Sequence, residues 1–176
     1  MTQGELGFKY EVDEQGAGLT GMGGIGTYFD LACRSGMLRS IERHVRARKG
    51  GQGWTDAEQI LSLVMLNLVG GDCVEDVNRL EFDEGFCRLF GKALSRGLSR
   101  KGRRGLKKRW RKEKKRSVPS SSSVFRYLEE FHAKDDGLRE MGKAYIPEGN
   151  EWLKGLCKVN RDMVGFVQNN HPEGTA

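Results

Sequence analysis

The sequence lacks the long apolar run that a membrane-spanning helix needs. Such a helix takes about 18 or more consecutive apolar residues, and the longest apolar stretch, at 60–69, is interrupted by Ser62 and Asn67. The first twenty residues are polar and glycine-rich, without the apolar core of a secretory signal peptide. We therefore expect a soluble chain in the cytoplasm, with no membrane partner.

Metal-ligating residues are few and scattered. The four cysteines, Cys33, Cys73, Cys87 and Cys157, form no CxxC pair, and none of the three histidines lies near a cysteine. Zinc sites need closely spaced ligand pairs, so we expect no metal site. Reduced, buried cysteines of an intracellular protein are the simpler interpretation.

A nucleotide fingerprint and a complete active site are also missing. Gly16, Gly18 and Gly21 match G-x-G-x-x-G, but the polar residues "KYEVDEQ" stand where a dinucleotide site has a buried strand. We interpret residues 1–24 as a flexible glycine-rich leader. The acidic pairs lie at expected helix caps or exposed faces, and His132 has no evident nucleophile as a partner. The residues alone therefore predict no catalysis.

Helical signals are abundant, and no strand or internal repeat is evident. Thr55 and Glu58 form a capping box at the start of "TDAEQILSLVMLNLVGG", which is apolar on nearly every side and so predicts a buried helix. Thr27 is expected to cap an earlier helix, and Gly36 to end it. The fold class predicted is all-α, with a helical N-terminal domain at 25–95, a basic insertion or linker at 96–118 and a further helical segment at 119–176.

Between these two parts lies "SRKGRRGLKKRWRKEKKRSVPSSSS", whose charge is concentrated at 96–116, the basic segment. It holds thirteen Lys or Arg residues against one acid, Glu113, a net +12; the rest of the chain, with 17 basic and 23 acidic residues, carries −6. Such segregation of charge favours a polyanionic partner, with nucleic acid as the first candidate. A solvated insertion and a nuclear import signal are the alternatives.

The spacing inside the basic segment suggests how it would act. Gly102 and Gly105 predict an extended first part, with only 106–116 helical. In that helix one side would carry Lys107, Lys108, Arg111, Lys112 and Lys115, with Trp110 among them. Each contact of such a side chain with a phosphate adds affinity that is independent of base sequence and sensitive to salt.

Two motifs in order carry a resemblance to a known family. They are Gly70, Gly71, Asp72 and Cys73 with Asp76 and Leu80 after them, and then Pro119, Ser120 and Ser122 with Arg126, Leu128 and Phe131. Together with "GMGGIGTYFDLACRSGM", they make the chain from about Gly21 onward similar to the N-terminal region of bacterial insertion-sequence transposases of the DDE class.

The resemblance implies DNA cutting and joining at transposon ends, by three carboxylates that hold two Mg²⁺ ions on an RNase H-like core. It places the first of these carboxylates on a strand that would begin where this chain stops, at Ala176, and it assigns no catalytic residue here. The expectation is thus a truncated transposase that binds terminal inverted repeats without catalysis or a cofactor of its own, on the bacterial nucleoid. A second copy of the chain is a further candidate partner.

The expected DNA-binding side chains belong to the basic segment, with Arg126 as a supplement. They are Arg100, Lys101, Arg103, Arg104, Lys107, Lys108, Arg109, Arg111, Lys112, Lys114, Lys115, Arg116 and Arg126. Two functions remain as alternatives: a stand-alone regulatory DNA-binding protein, and a general module for RNA or other polyanions.

Overall fold

The computed structural model describes residues 20–48, 53–108, 116–132 and 149–170. These residues form α-helices and two short 3₁₀ helices, and no strand occurs among them, which confirms the all-α prediction. The α-helices are α1 (Ile25–Arg34), α2 (Met37–His44), α3 (Asp56–Leu68), α4 (Val77–Phe82), α5 (Glu84–Gly97), α6 (Arg100–Lys108), α7 (Ser121–Leu128) and α8 (Glu151–Asn170). The 3₁₀ helices are Val74–Asp76 and Glu129–Phe131.

Local capping decides where the helices begin. The predicted capping box of α3 is present: the Thr55 amide donates to Glu58 Oε2 at 2.8 Å, and the Glu58 amide donates to Thr55 Oγ1 at 3.3 Å. The predicted cap at Thr27 is wrong, because α1 already begins at Ile25. Gly24 precedes that helix with a φ of 77°, a conformation that glycine adopts without the penalty of a side chain.

The core is built around α3 and a cluster of three aromatic rings. Phe29 of α1 lies 5.3 Å from Phe86 and 6.3 Å from Phe90 of α5, measured between ring centroids. Leu61 and Met65 of α3 are almost fully buried, as the apolar pattern of that helix predicts. Burial of such side chains stabilises a fold by about 1.5–3 kcal/mol each.

Residues that follow the basic segment join this same core. Val118, Val124, Tyr127 and Val159 belong to one contiguous buried cluster with α1–α5. The Tyr127 hydroxyl donates to Asp56 Oδ1 at 2.9 Å, which ties α7 to the start of α3. The helices on either side of the basic segment therefore pack together rather than separately.

No helix of the described residues has the length and apolarity needed to cross a bilayer.

The expectation of buried cysteines is wrong. Cys73 and Cys157 are exposed, and Cys33 and Cys87 are only partly buried. Cys157 lies on the outer face of α8, whose inner face meets α2 through Gly155 and Val159. Cys73 lies in the turn before the first 3₁₀ helix, where solvent reaches it.

Candidate nucleic-acid interface

The first part of the basic segment is helical, which corrects the prediction that it is extended. Helix α6 spans Arg100–Lys108 and includes both Gly102 and Gly105. Ser99 begins it: its carbonyl accepts from the Arg103 amide at 2.9 Å, and its hydroxyl accepts from the Gly102 amide at 3.1 Å. A serine that caps a helix in this way adds about 1 kcal/mol, which offsets part of the cost of the glycines.

Glu42 of α2 holds the start of α6 against the body of the protein. Its Oε2 accepts from the Ser99 amide at 2.9 Å, and its Oε1 accepts from the Ser99 hydroxyl at 3.1 Å. A Cβ at position 102 would overlap Oε1 of Glu42, so Gly102 permits the close approach of the carboxylate. Leu106, one helical turn further on, packs against the core. Gly102 and Leu106 thus mark the inner side of α6.

A second carboxylate holds the chain where it leaves the basic segment. Both oxygens of Glu81 accept from the Ser117 amide, at 2.8 and 2.9 Å, and Oε2 also accepts from the Val118 amide at 2.9 Å. Arg116 donates to Asn78 Oδ1 at 3.0 Å. The basic segment therefore leaves and returns to one helical body, with a carboxylate at each end.

A cleft of about 560 Å³ lies between α2, the start of α3 and α6, and we call it the α2/α6 cleft. Its cationic side chains are Arg39, Arg43, Arg46 and Lys101. Arg39, Arg46 and Lys101 lie within 4.0 Å of no carboxylate in the part of the chain that the structure describes. These cations are therefore available to an anionic ligand.

The two carboxylates of the α2/α6 cleft are engaged inside the protein. Glu42 accepts from Ser99, as described above, and Asp56 accepts from the Tyr127 hydroxyl and from the Arg48 amide at 3.3 Å. Burial raises the pKa of Asp56 above its ordinary value, against the lowering effect of these hydrogen bonds. Both acids hold helices in place, and neither lies within 4.0 Å of a cation that lines the cleft, among the described residues.

The predicted DNA-binding residues divide into three groups. Arg100, Lys101 and Arg104 are exposed on α6, and Arg126 is exposed on α7, where its Nε donates to the Ser122 carbonyl at 3.1 Å. Arg103 and Arg116 donate to internal acceptors, Arg103 to the Leu98 carbonyl at 2.8 Å. The side chains of Lys107 and Lys108, and all of Arg109, Arg111, Lys112, Lys114 and Lys115, lie outside the described residues.

Sequence reasoning missed three arginines in and just after α2. Arg39 and Arg43 lie four residues apart on one face of α2, and Arg46 follows in the extended chain after the helix ends at His44. Leu38, just before Arg39, and Ile41, between Arg39 and Arg43, are fully buried. The signal was therefore present in "MLRSIERHVRAR", on the face opposite the apolar stripe.

The described residues include no group of three or more His, Cys, Asp or Glu side chains placed to hold a metal ion. Comparison with protein-family models, with curated proteins and with solved structures finds no match for this chain.

Proposed function

We propose that this chain is the helical DNA-binding part of a DDE-class transposase, and that it binds the ends of its element through α6 and the α2/α6 cleft. One observation carries the DNA-binding part: contacts with Glu42 hold α6 so that Lys101 faces the same cleft as Arg39, Arg43 and Arg46. The transposase part rests on the resemblance of the Gly-Gly-Asp-Cys and Pro-Ser-x-Ser motifs. The proposal gives the chain no catalytic residue and locates it on bacterial DNA in the cytoplasm.

The arrangement suits a phosphodiester backbone better than a small ligand. The cations of the cleft are three arginines and a lysine, whose long side chains can follow a chain of phosphates. Arginine binds phosphate oxygens through two parallel N–H donors. Such contacts fix the position of the protein on DNA, while base recognition requires contacts in a groove.

Salt dependence of binding tests the proposal directly. Binding is measured to a labelled duplex that carries the terminal repeat of the element and to a scrambled duplex. The two proteins compared are the wild type and a variant in which Arg100, Lys101 and Arg104 are all changed to Ala. Each phosphate contact that is lost reduces the slope of log K against log salt by about 0.9. We expect a drop of about 1.8–2.7 for two or three lost contacts.

A charge-matched control separates contact from net charge. Lys92, Lys154 and Lys158 are exposed and line neither the α2/α6 cleft nor any other cleft described here. Changing all three to Ala removes the same charge and should leave the slope close to that of the wild type. If both triple variants bind alike, the α6 site is not the interface. Equal affinity for RNA and for the scrambled duplex would favour a general polyanion-binding module.

A further inference from the structure

A second groove lies on the other side of α2, against α8, and we call it the α2/α8 groove. It encloses about 470 Å³, and its cations are Arg39 and Arg43 of α2 and Arg161 of α8. Arg39 and Arg43 also line the α2/α6 cleft. These two arginines therefore stand on the ridge between two cationic depressions, one bounded by α6 and the other by α8.

Contacts between α2 and α8 fix the walls of this groove. Asp162 accepts from the Ser40 hydroxyl at 2.5 Å and lies 3.3 Å from His44 Nε2. Gly155 packs on the His44 backbone so closely that a Cβ would overlap the carbonyl oxygen. The position of Arg161, next to Asp162 in the sequence, is therefore set relative to Arg39 and Arg43.

The acid of the groove is already engaged. The hydrogen bond from Ser40 lowers the pKa of Asp162, with the nearby His44 and Arg43 adding to the effect. Arg43 reaches Asp162 only at 3.9 Å, and over the described residues Arg39 and Arg161 lie within 4.0 Å of no carboxylate. Three guanidinium groups thus face the groove, and Asp162, the one carboxylate among the described residues that line it, is already in contact with Ser40 and His44 of α2.

We infer that the α2/α8 groove is a second phosphate-binding site, which takes the same DNA backbone after it crosses the ridge of Arg39 and Arg43. This inference rests on the proposed function, because the α2/α6 cleft supplies the first part of the path. Residues four apart on a helix have Cβ atoms about 5–6 Å apart, a spacing that lets neighbouring phosphates of one strand meet Arg39 and Arg43. Arg161 then contacts the strand beyond the ridge.

The test compares two single substitutions on α8. Arg161→Ala removes the cation that α8 contributes to the groove, while Lys158→Ala removes an exposed cation of the same helix that does not line it. Binding to a labelled DNA duplex is measured over a range of salt concentrations, and far-UV circular dichroism confirms that both variants are folded. We expect the salt slope to fall by about 0.9 for Arg161→Ala and to stay unchanged for Lys158→Ala.

A double variant, Arg46→Ala with Lys101→Ala, distinguishes the inference from the proposed function. Both side chains line the α2/α6 cleft and neither lines the α2/α8 groove. If the double variant lowers the slope by about 1.8 but Arg161→Ala behaves as Lys158→Ala does, the groove inference is overturned and the proposed function stands. If the wild type shows no salt-dependent binding to DNA, both are overturned.

Discussion

The two glycines of α6 form a matched pair that tests how this helix is held. A Cβ added at Gly105 would meet no atom within 4 Å, whereas a Cβ at Gly102 would overlap Oε1 of Glu42 and lie 3.3 Å from the Leu98 Cβ. Both positions lie inside α6, so Gly→Ala gains about 0.8–1 kcal/mol of helix propensity at either. Only at position 102 does the new methyl group meet the carboxylate.

The cost at position 102 follows from the hydrogen bonds that Glu42 would lose. To make room, its carboxylate must leave the amide and the hydroxyl of Ser99. An intramolecular hydrogen bond contributes about 0.5–1.5 kcal/mol net, and we take about 1 kcal/mol for each of these two because the site is partly exposed. The loss of about 2 kcal/mol exceeds the propensity gain, so Gly102→Ala should destabilise the docked α6 by about 1 kcal/mol. Gly105→Ala has only the gain and should stabilise α6 by about 1 kcal/mol, so the two variants should differ by about 2 kcal/mol.

Amide hydrogen exchange of the peptide 99–108 measures this difference, because it reports local opening rather than global unfolding. A gap of 2 kcal/mol corresponds to about a 30-fold difference in the opening equilibrium. In a Glu42→Ala background the overlap with the carboxylate is gone and only the 3.3 Å contact with the Leu98 Cβ remains, so the protection of α6 by Gly102→Ala should then come close to that by Gly105→Ala. Equal protection by both alanines in the wild-type background would refute the reasoning, since Glu42 would not then be what holds the helix.

Two further predictions concern the helices around the site. Gly155→Ala should lower the melting temperature of the protein, because the new Cβ would overlap the backbone carbonyl of His44. The control is Gly165→Ala, whose Cβ would meet no atom within 4 Å and which should stabilise the fold by up to about 1 kcal/mol. Equal melting temperatures for the two variants would contradict the α2–α8 packing. Burial raises the pKa of Tyr127 well above its ordinary value of 10.0, so the stability it contributes is complete below pH 10 and falls by about 1.4 kcal/mol per pH unit above it. The free energy of unfolding, measured with urea below and above pH 10, should fall in the wild type and fall less in Tyr127→Phe. An identical fall in both proteins would show that Tyr127 does not cause it.

The helices could be predicted from the sequence where a cap and an apolar face agree. At α3 the Thr55–Glu58 capping box and the buried pattern both point to the same start, and the structure begins the helix there. At α1 the favourable cap residue Thr27 misled the prediction, because Gly24 adopts a positive φ and starts the helix earlier. A glycine that begins a helix gives no signal distinct from a glycine in a flexible leader.

The site was predicted only in part, because its geometry depends on residues far apart in the sequence. The concentration of positive charge is visible in the sequence, but Glu42 lies 57 residues from Ser99, and Glu81 lies 36 residues from Ser117. Helix propensity alone favours an extended chain at Gly102, and the tertiary contact with Glu42 overrides it. The arginines of α2 join the site for the same reason: only folding brings their helix beside α6.

The two carboxylates explain how the two ends of a segment of such high positive charge are held against the helical body. Like charges repel one another and favour an extended, solvated chain, so a long basic run has little tendency to dock. Glu42 accepts from the Ser99 amide, and Glu81 accepts from the Ser117 and Val118 amides, so both ends of the run are held through the backbone. The entropic cost of bringing the two ends together is then part of folding and not part of ligand binding. A polyanion that binds there meets cations already brought beside Arg39 and Arg43, so less of its binding free energy is lost in ordering the protein.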